Sequence, residues 1–124
     1  MIAAVPAQSP IRFSGFDLSG LDLTDTNLGQ VDLTGANLAG TMLGRANLTE
    51  ARLTRANLTG VTLTKTSLVG ADLDGANLTN ANLSKADLSH AQLAGVNLSG
   101  ANLSGVDLTE ANLATADLQQ ASLI

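Results

Sequence analysis

His90 is the single histidine of the chain, and it closes the run Asp87-Leu88-Ser89-His90. An imidazole near a carboxylate and a hydroxyl is raw material for acid–base or nucleophilic catalysis. A triad, however, needs its three groups to converge with defined geometry, and a transition metal needs several matched ligands. One histidine among scattered carboxylates supplies neither. The chain contains no cysteine, which removes thiolate nucleophiles, disulfides and cysteine-based metal sites. The glycines do not follow the spacing of a phosphate-binding loop, and no helix start stands behind them. Asn57-Leu58-Thr59 and Asn82-Leu83-Ser84 match glycosylation sequons, but only as a by-product of a repeat. The residues point to no catalytic group, no cofactor and no metal, and the chain reads as a non-enzyme.

What must position the remaining polar groups is that repeat. Leucine stands at every fifth position from Leu18 to Leu123, and Phe13 extends the phase one step earlier. Two residues before the leucine stands most often Ala, with Thr or Val as substitutes. On an α-helix, residues five apart would spiral around every face, so no single core could collect the leucines. Within a unit such as Ala101-Asn102-Leu103-Ser104-Gly105, the first three residues alternate in-out-in like a short strand. The last two, rich in Thr, Ser and Gly, supply a corner. A chain that turns equally after each unit becomes a coil, and stacked coils bury a continuous leucine column.

The A-[D/N]-L-x-x unit, in unbroken phase from about Ile11 to Ile124, resembles that of the pentapeptide-repeat family. The resemblance implies an all-β fold, a right-handed quadrilateral parallel β-helix with one repeat per side and four repeats per coil. Roughly five to six coils follow, a rod about 25 Å long at the usual inter-strand spacing. The expected division is residues 1–10 as a cap or flexible lead-in and 11–124 as the repeat. The core is expected to include Phe13, Leu18, Leu38, Leu58, Leu68, Leu78, Leu98 and Leu118. Inward Thr26, Thr41 and Thr66 need a backbone partner for their hydroxyls.

Four repeats per coil stack residues that are 20 apart in sequence, so the surface reads as columns. Asn37, Asn57, Asn77 and Asn97, flanked by Asp17 and Asp117, read as an amide ladder in which each side chain bonds to the next coil. Arg12, Asp32, Arg52 and Asp72 alternate in sign, which favours stacking modestly. Asp25, Arg45, Lys65 and Lys85 form the one basic stripe. Glu50, Asp87, Asp107 and Glu110 read as an acidic patch near the C-terminal end. Arg45, Lys65, Lys85, Asp87, Asp107 and Glu110 are the candidate interaction surface, weighed against the plainer reading of a solvated rod.

Composition limits the function classes. The formal net charge is −5, with five acids against five bases through Lys65 and six acids against Lys85 beyond it. That balance lacks a basic nucleic-acid footprint, and direct nucleic-acid binding is not expected. No stretch approaches the roughly 20 apolar residues that span a bilayer, so no membrane role is expected. The cytoplasm is the default location, with export of a processed form, suggested by Val5-Pro6-Ala7, as the alternative.

The function these features favour is a non-catalytic scaffold or protein–protein interaction module with an unidentified protein partner. The resemblance also implies an alternative, a DNA-mimicking binder of DNA gyrase that protects against quinolones. Charge opposes it: a rod of this length imitating B-DNA would want on the order of 15 negative charges. Ice or mineral binding, hinted at by Thr62-Leu63-Thr64, is interrupted by Met42 and Gly44. Ile11, Phe16, Leu21 and Val31 bring bulk to the first coils, whereas Ala116–Ile124 shows no cap. An open coil exposes leucines and strand edges, so a homodimer or end-to-end association through the C-terminal coil is expected.

Overall fold

The computed structural model describes residues 11–124, and the cap or lead-in expected for residues 1–10 lies outside the described residues. From Ile11 onward the chain is a right-handed quadrilateral β-helix. Each repeat forms one parallel bridge to the repeat 20 residues on, as in Asp17 to Asn37 to Asn57 to Asn77 to Asn97 to Asp117. Four such series run along the rod, and each face takes the name of its first bridged residue: the Arg12, Asp17, Asp22 and Asn27 faces. The edge after the Asp22 face carries Asp25, Arg45, Lys65 and Lys85, and the edge after the Asn27 face carries Gln30, Glu50, His90 and Glu110.

The unit Ala56-Asn57-Leu58-Thr59-Gly60 shows why the pattern holds. Asn57 N donates backward to Ala36 O at 2.9 Å, while Leu58 N and Gly60 N donate forward to Asn77 O at 2.7 Å and Thr79 O at 3.0 Å. Ala56 N closes the preceding corner on Leu53 O at 3.0 Å. Only Thr59 N is left, and the Asn57 side chain takes it through Oδ1 at 3.1 Å. Every N–H of the unit is therefore paired, which is what a densely bridged rod demands.

At each corner the leucine carbonyl accepts from the residue three positions on. The third residue of that turn has φ between 55° and 71° at every fifth position from Gly15 to Gln120. This is type II turn geometry, which asks for a left-handed residue at that place. Gly60 adopts it freely, but Arg45, Lys65 and Thr115 adopt it against the steric preference of an L-residue.

Inside, leucine and the preceding small residue fill the rod. Leu38, Leu58, Leu68, Leu78 and Leu98 are all buried, each worth about 1.5–3 kcal/mol relative to exposure. Phe13 and Leu18 are half-buried against the same cluster. Leu118, expected in the core, is instead 40% exposed, because among the described residues no further coil lies over it. The inward threonines find backbone acceptors. Thr26 Oγ1 donates to Leu23 O at 2.6 Å, Thr41 Oγ1 to Leu18 O at 2.9 Å and Thr66 Oγ1 to Leu43 O at 2.7 Å. At the N-terminal end, Phe13 and Phe16 meet edge-on with ring centroids 5.4 Å apart.

Candidate functional site

The helix closes around its leucines, so the side chains available for recognition stand on the faces and edges. The expected amide ladder on the Asp17 face is largely replaced by another arrangement. Asn37, Asn57, Asn77 and Asn97 each turn Oδ1 onto the N–H two residues on, at 2.9–3.1 Å. Among the described residues, the one rung between coils on this face is Asn57 Nδ2 to Asn37 Oδ1, at 3.4 Å. A better rung joins Asn47 and Asn27 at 3.1 Å on the Asn27 face. The local bond is the constant one because it satisfies a corner N–H that has no backbone acceptor; the same Oδ1 can also accept a rung, as Asn27 and Asn37 do. The signal was in the sequence: Asp or Asn, two residues before a corner, is the signature of an Asx turn.

Carboxylates at this position do the same. Asp17, Asp22 and Asp107 accept from the backbone and hydroxyl of Ser19, Thr24 and Thr109 respectively, the hydroxyls at 2.6–2.7 Å. The hydroxyl bond first, then the backbone N–H, holds each of these carboxyls below its ordinary range. They are turn caps that stay ionised at neutral pH, which does not suit them to accept and return protons.

The candidate interaction residues come together around the Asn27 face. Arg45, Lys65 and Lys85 run along one of its edges, Asp87 and Asp107 are bridged in line on the face itself, and Glu110 stands on the opposite edge. Arg45 leaves the basic stripe in part: its Nε and Nη2 grip Asp25 Oδ1 and Oδ2 at 2.8 and 2.9 Å. Those hydrogen bonds lower the Asp25 pKa and raise that of Arg45. His90 Nδ1 lies 3.5 Å from Glu110 Oε2, with the two side chains 59% and 74% exposed. Such a solvated pair has no water-excluded substrate position beside it. Glu50 does not join the acidic patch. It shares an edge with His90 and Glu110, but Gly70 separates it from His90 by a coil, and it accepts from Gln30 Nε2 at 3.2 Å.

The Arg12, Asp32, Arg52, Asp72 column is aligned by its bridges, yet no ion pair within 4 Å forms along it among the described residues. Thr34, through its hydroxyl and then its N–H, lowers the Asp32 pKa, with the fields of Arg52 and Arg12 adding to it. A shallow groove lies between Arg12, Ser14, Asp32 and Arg52, and another between Asn27, Gly29, Gln30, Asn47, Thr49 and Glu50. No cluster of metal-ligating side chains forms among the described residues. In the last coil Leu118, Leu123 and Ile124 are exposed.

Comparison with known proteins places this geometry. The family model for pentapeptide repeats matches residues 17–55, 56–91 and 86–123. A pentapeptide repeat protein (Rfr23) from the cyanobacterium Cyanothece 51142 superposes with a TM-score of 0.90 at 33% identity, covering 91% of each chain. A pentapeptide repeat protein from the Arabidopsis thaliana thylakoid lumen aligns with a TM-score of 0.52 at 28% identity, over 80% of this chain and 66% of that one. QnrB1, a plasmid-mediated fluoroquinolone resistance protein, aligns with a TM-score of 0.40 at 24% identity, over 89% of this chain and 61% of that one. No curated protein matches the sequence.

Proposed function

The chain belongs to the pentapeptide-repeat family, and on that premise we propose that it is a non-catalytic scaffold that binds a protein partner through its faces. The observation that supports this reading most is the contrast between interior and exterior. The interior is filled by leucine and alanine at near-zero exposure, while the exterior carries charged side chains of both signs, among them Arg45, Lys65, Lys85, Asp87, Asp107 and Glu110 on or beside the Asn27 face. A rod of this kind holds its surface groups in fixed register, which lowers the ordering cost of binding. Mixed charges at fixed spacing select a partner by electrostatic complementarity and exclude wrong ones. The solvated His90–Glu110 pair and the ionised turn caps support the absence of catalysis in this reading.

The test is affinity capture from a bacterial lysate with the intact chain as bait, beside variants reversed in charge at Lys65 with Lys85, and at Asp87 with Asp107. The expected result is a stoichiometric protein retained by the parent chain and lost from at least one reversed variant. A partner retained equally by all of them would move the site to another face, and no retained protein would remove the reading. Gyrase supercoiling, measured alongside with micromolar protein, is expected to be unaffected.

A further inference from the structure

The second position of the repeat is where the fold spends its Asp and Asn side chains as corner caps. The cap is present wherever that residue is Asp or Asn, on all four faces, as at Asp32, Asn57, Asn82 and Asp87. Departures from the rule are therefore informative, because each gives up a hydrogen bond that its neighbours make. At Gln92 the loss is repaired: Asp74 reaches from the preceding coil and accepts Ala94 N at 2.9 Å.

Arg12 and Arg52, on the Arg12 face, likewise leave Ser14 N and Thr54 N without a protein acceptor among the described residues, and three further unrepaired departures lie together. Met42 and Thr62 are bridged neighbours on the Asp22 face, and Ser67 stands just across the Asp25 edge on the Asn27 face. Among the described residues, the corner amides they would cap, Gly44 N, Thr64 N and Val69 N, find no protein acceptor. Met42 is 42% exposed, the one large apolar side chain exposed away from the two ends of the described rod. Beside it, Gly44 has no positive φ, and a Cβ there would meet only Thr64 O at an ordinary 3.7 Å. The fold does not require glycine at that place. Its effect is to leave no outward side chain between Met42 and the corner residue Arg45. Lys65 and Lys85 follow along the edge without a carboxylate within 4 Å among the described residues, since Asp25 is engaged by Arg45.

Unmet amide donors, two unpaired ammonium groups and one apolar knob have a single chemical complement. We propose that the strip formed by Met42, Gly44, Thr64, Lys65 and Lys85 docks an acidic segment of a partner protein that carries an apolar anchor residue. This rests on the reading of the chain as an interaction module and names the surface and the partner's chemistry. Carboxylates of the segment accept from the free amides and pair with the lysines, while its anchor packs on the Met42 thioether, a side chain suited to irregular apolar contact. A nucleic acid would use the cations but has no use for Met42, and the net charge of −5 repels it.

The probe is a synthetic Glu-Glu-Leu-Glu-Glu peptide, titrated into the isotope-labelled intact chain and followed by amide NMR, beside its Gln and Lys counterparts and a DNA duplex. Saturable shifts at Gly44, Thr64 and Lys65 are expected for the acidic peptide alone. Lys65→Glu with Lys85→Glu should weaken binding at least tenfold, and Met42→Ser should abolish the preference for Leu over Gly at the anchor. Glu50 and Glu110 already occupy equivalent corners, so the charge-reversed chain should fold, as a thermal melt will verify. Shifts centred on another face, an equal response to the Gln peptide, lysine-dependent DNA binding, or no shift would each overturn the proposal. A partner captured from lysate despite such a result would leave the interaction-module reading standing and remove only this one.

Discussion

The Asp17 and Asp22 faces meet at one edge of the same rod and are built to different ends. On the Asp17 face all six second-position residues, from Asp17 to Asp117, cap their own corner. Four of its six corners are glycine, which accepts the left-handed turn without strain. On the Asp22 face the caps stop at Asp22 and resume at Asn82, and the corners are Asp25, Arg45, Lys65 and Lys85 before Gly105. Behind both faces the packing is the same: Leu38, Leu58 and Leu78 on one side and Leu43, Leu63 and Leu83 on the other are 0–1% exposed. Core packing and surface capping are thus separate layers of the design. The first is uniform around the rod, and the second is interrupted at Met42, Thr62 and Ser67 as well as at Arg12 and Arg52.

Leu58→Ala and Leu63→Ala probe the shared layer, and each should cost about 2–5 kcal/mol through the cavity left behind. Equal losses in urea denaturation are expected, and a large inequality would show that the two faces differ in depth as well as at the surface. Leu118→Ala should cost much less, since that side chain is already 40% exposed.

The corners come next in size. Gly60→Ala places a Cβ in a left-handed turn with φ of 66° and should destabilise by about 1 kcal/mol. Lys65→Gly relieves the same strain on the Asp22 side and should stabilise by up to about 1 kcal/mol, net of the extra freedom of the unfolded chain. A thermal melt that moves both variants in the same direction would contradict the geometry.

The smallest effect is in acid. Asp17 and Asp22 have folded pKa values depressed below 3.8 by Ser19 and Thr24, hydroxyl first and backbone second. Because the folded value lies below the unfolded one, the stability these groups add is full above about pH 4 and is lost as pH falls through the folded value. Asp17→Asn and Asp22→Asn should each flatten the acid limb of the denaturation midpoint to a similar degree.

Much of this was legible in the sequence. The five-residue leucine period and the inward Ala or Thr two positions before it prescribe the coil, because no helix or flat strand can bury that pattern. The columns at 20-residue spacing followed and placed Arg45, Lys65 and Lys85 on one edge. The capping role of Asn57 and its equivalents is legible only by counting donors: the corner N–H of Thr59 has no backbone acceptor, and column spacing alone does not show it. Left-handed corners at Lys65 or Glu110 carry no composition signal, because the regular bridging imposes them against the residue's own preference. Leu118 and Glu50 depart from expectation for a simpler reason: the column fixes which face a residue occupies, and the 20-residue step, which puts Glu50 two coils from His90, has to be counted as well.

The separation of the two layers is tested by exchanging one residue between the faces. Asn57→Thr removes a cap on the Asp17 face, and Thr62→Asn installs one on the Asp22 face, both outside an unchanged leucine core. In urea denaturation the first should lose, and the second gain, about 0.5–1.5 kcal/mol, the net value of one hydrogen bond. Opposite signs are the predicted result. A loss in both variants, or no change in the second, would show that the missing cap at Thr62 costs nothing and would contradict the account.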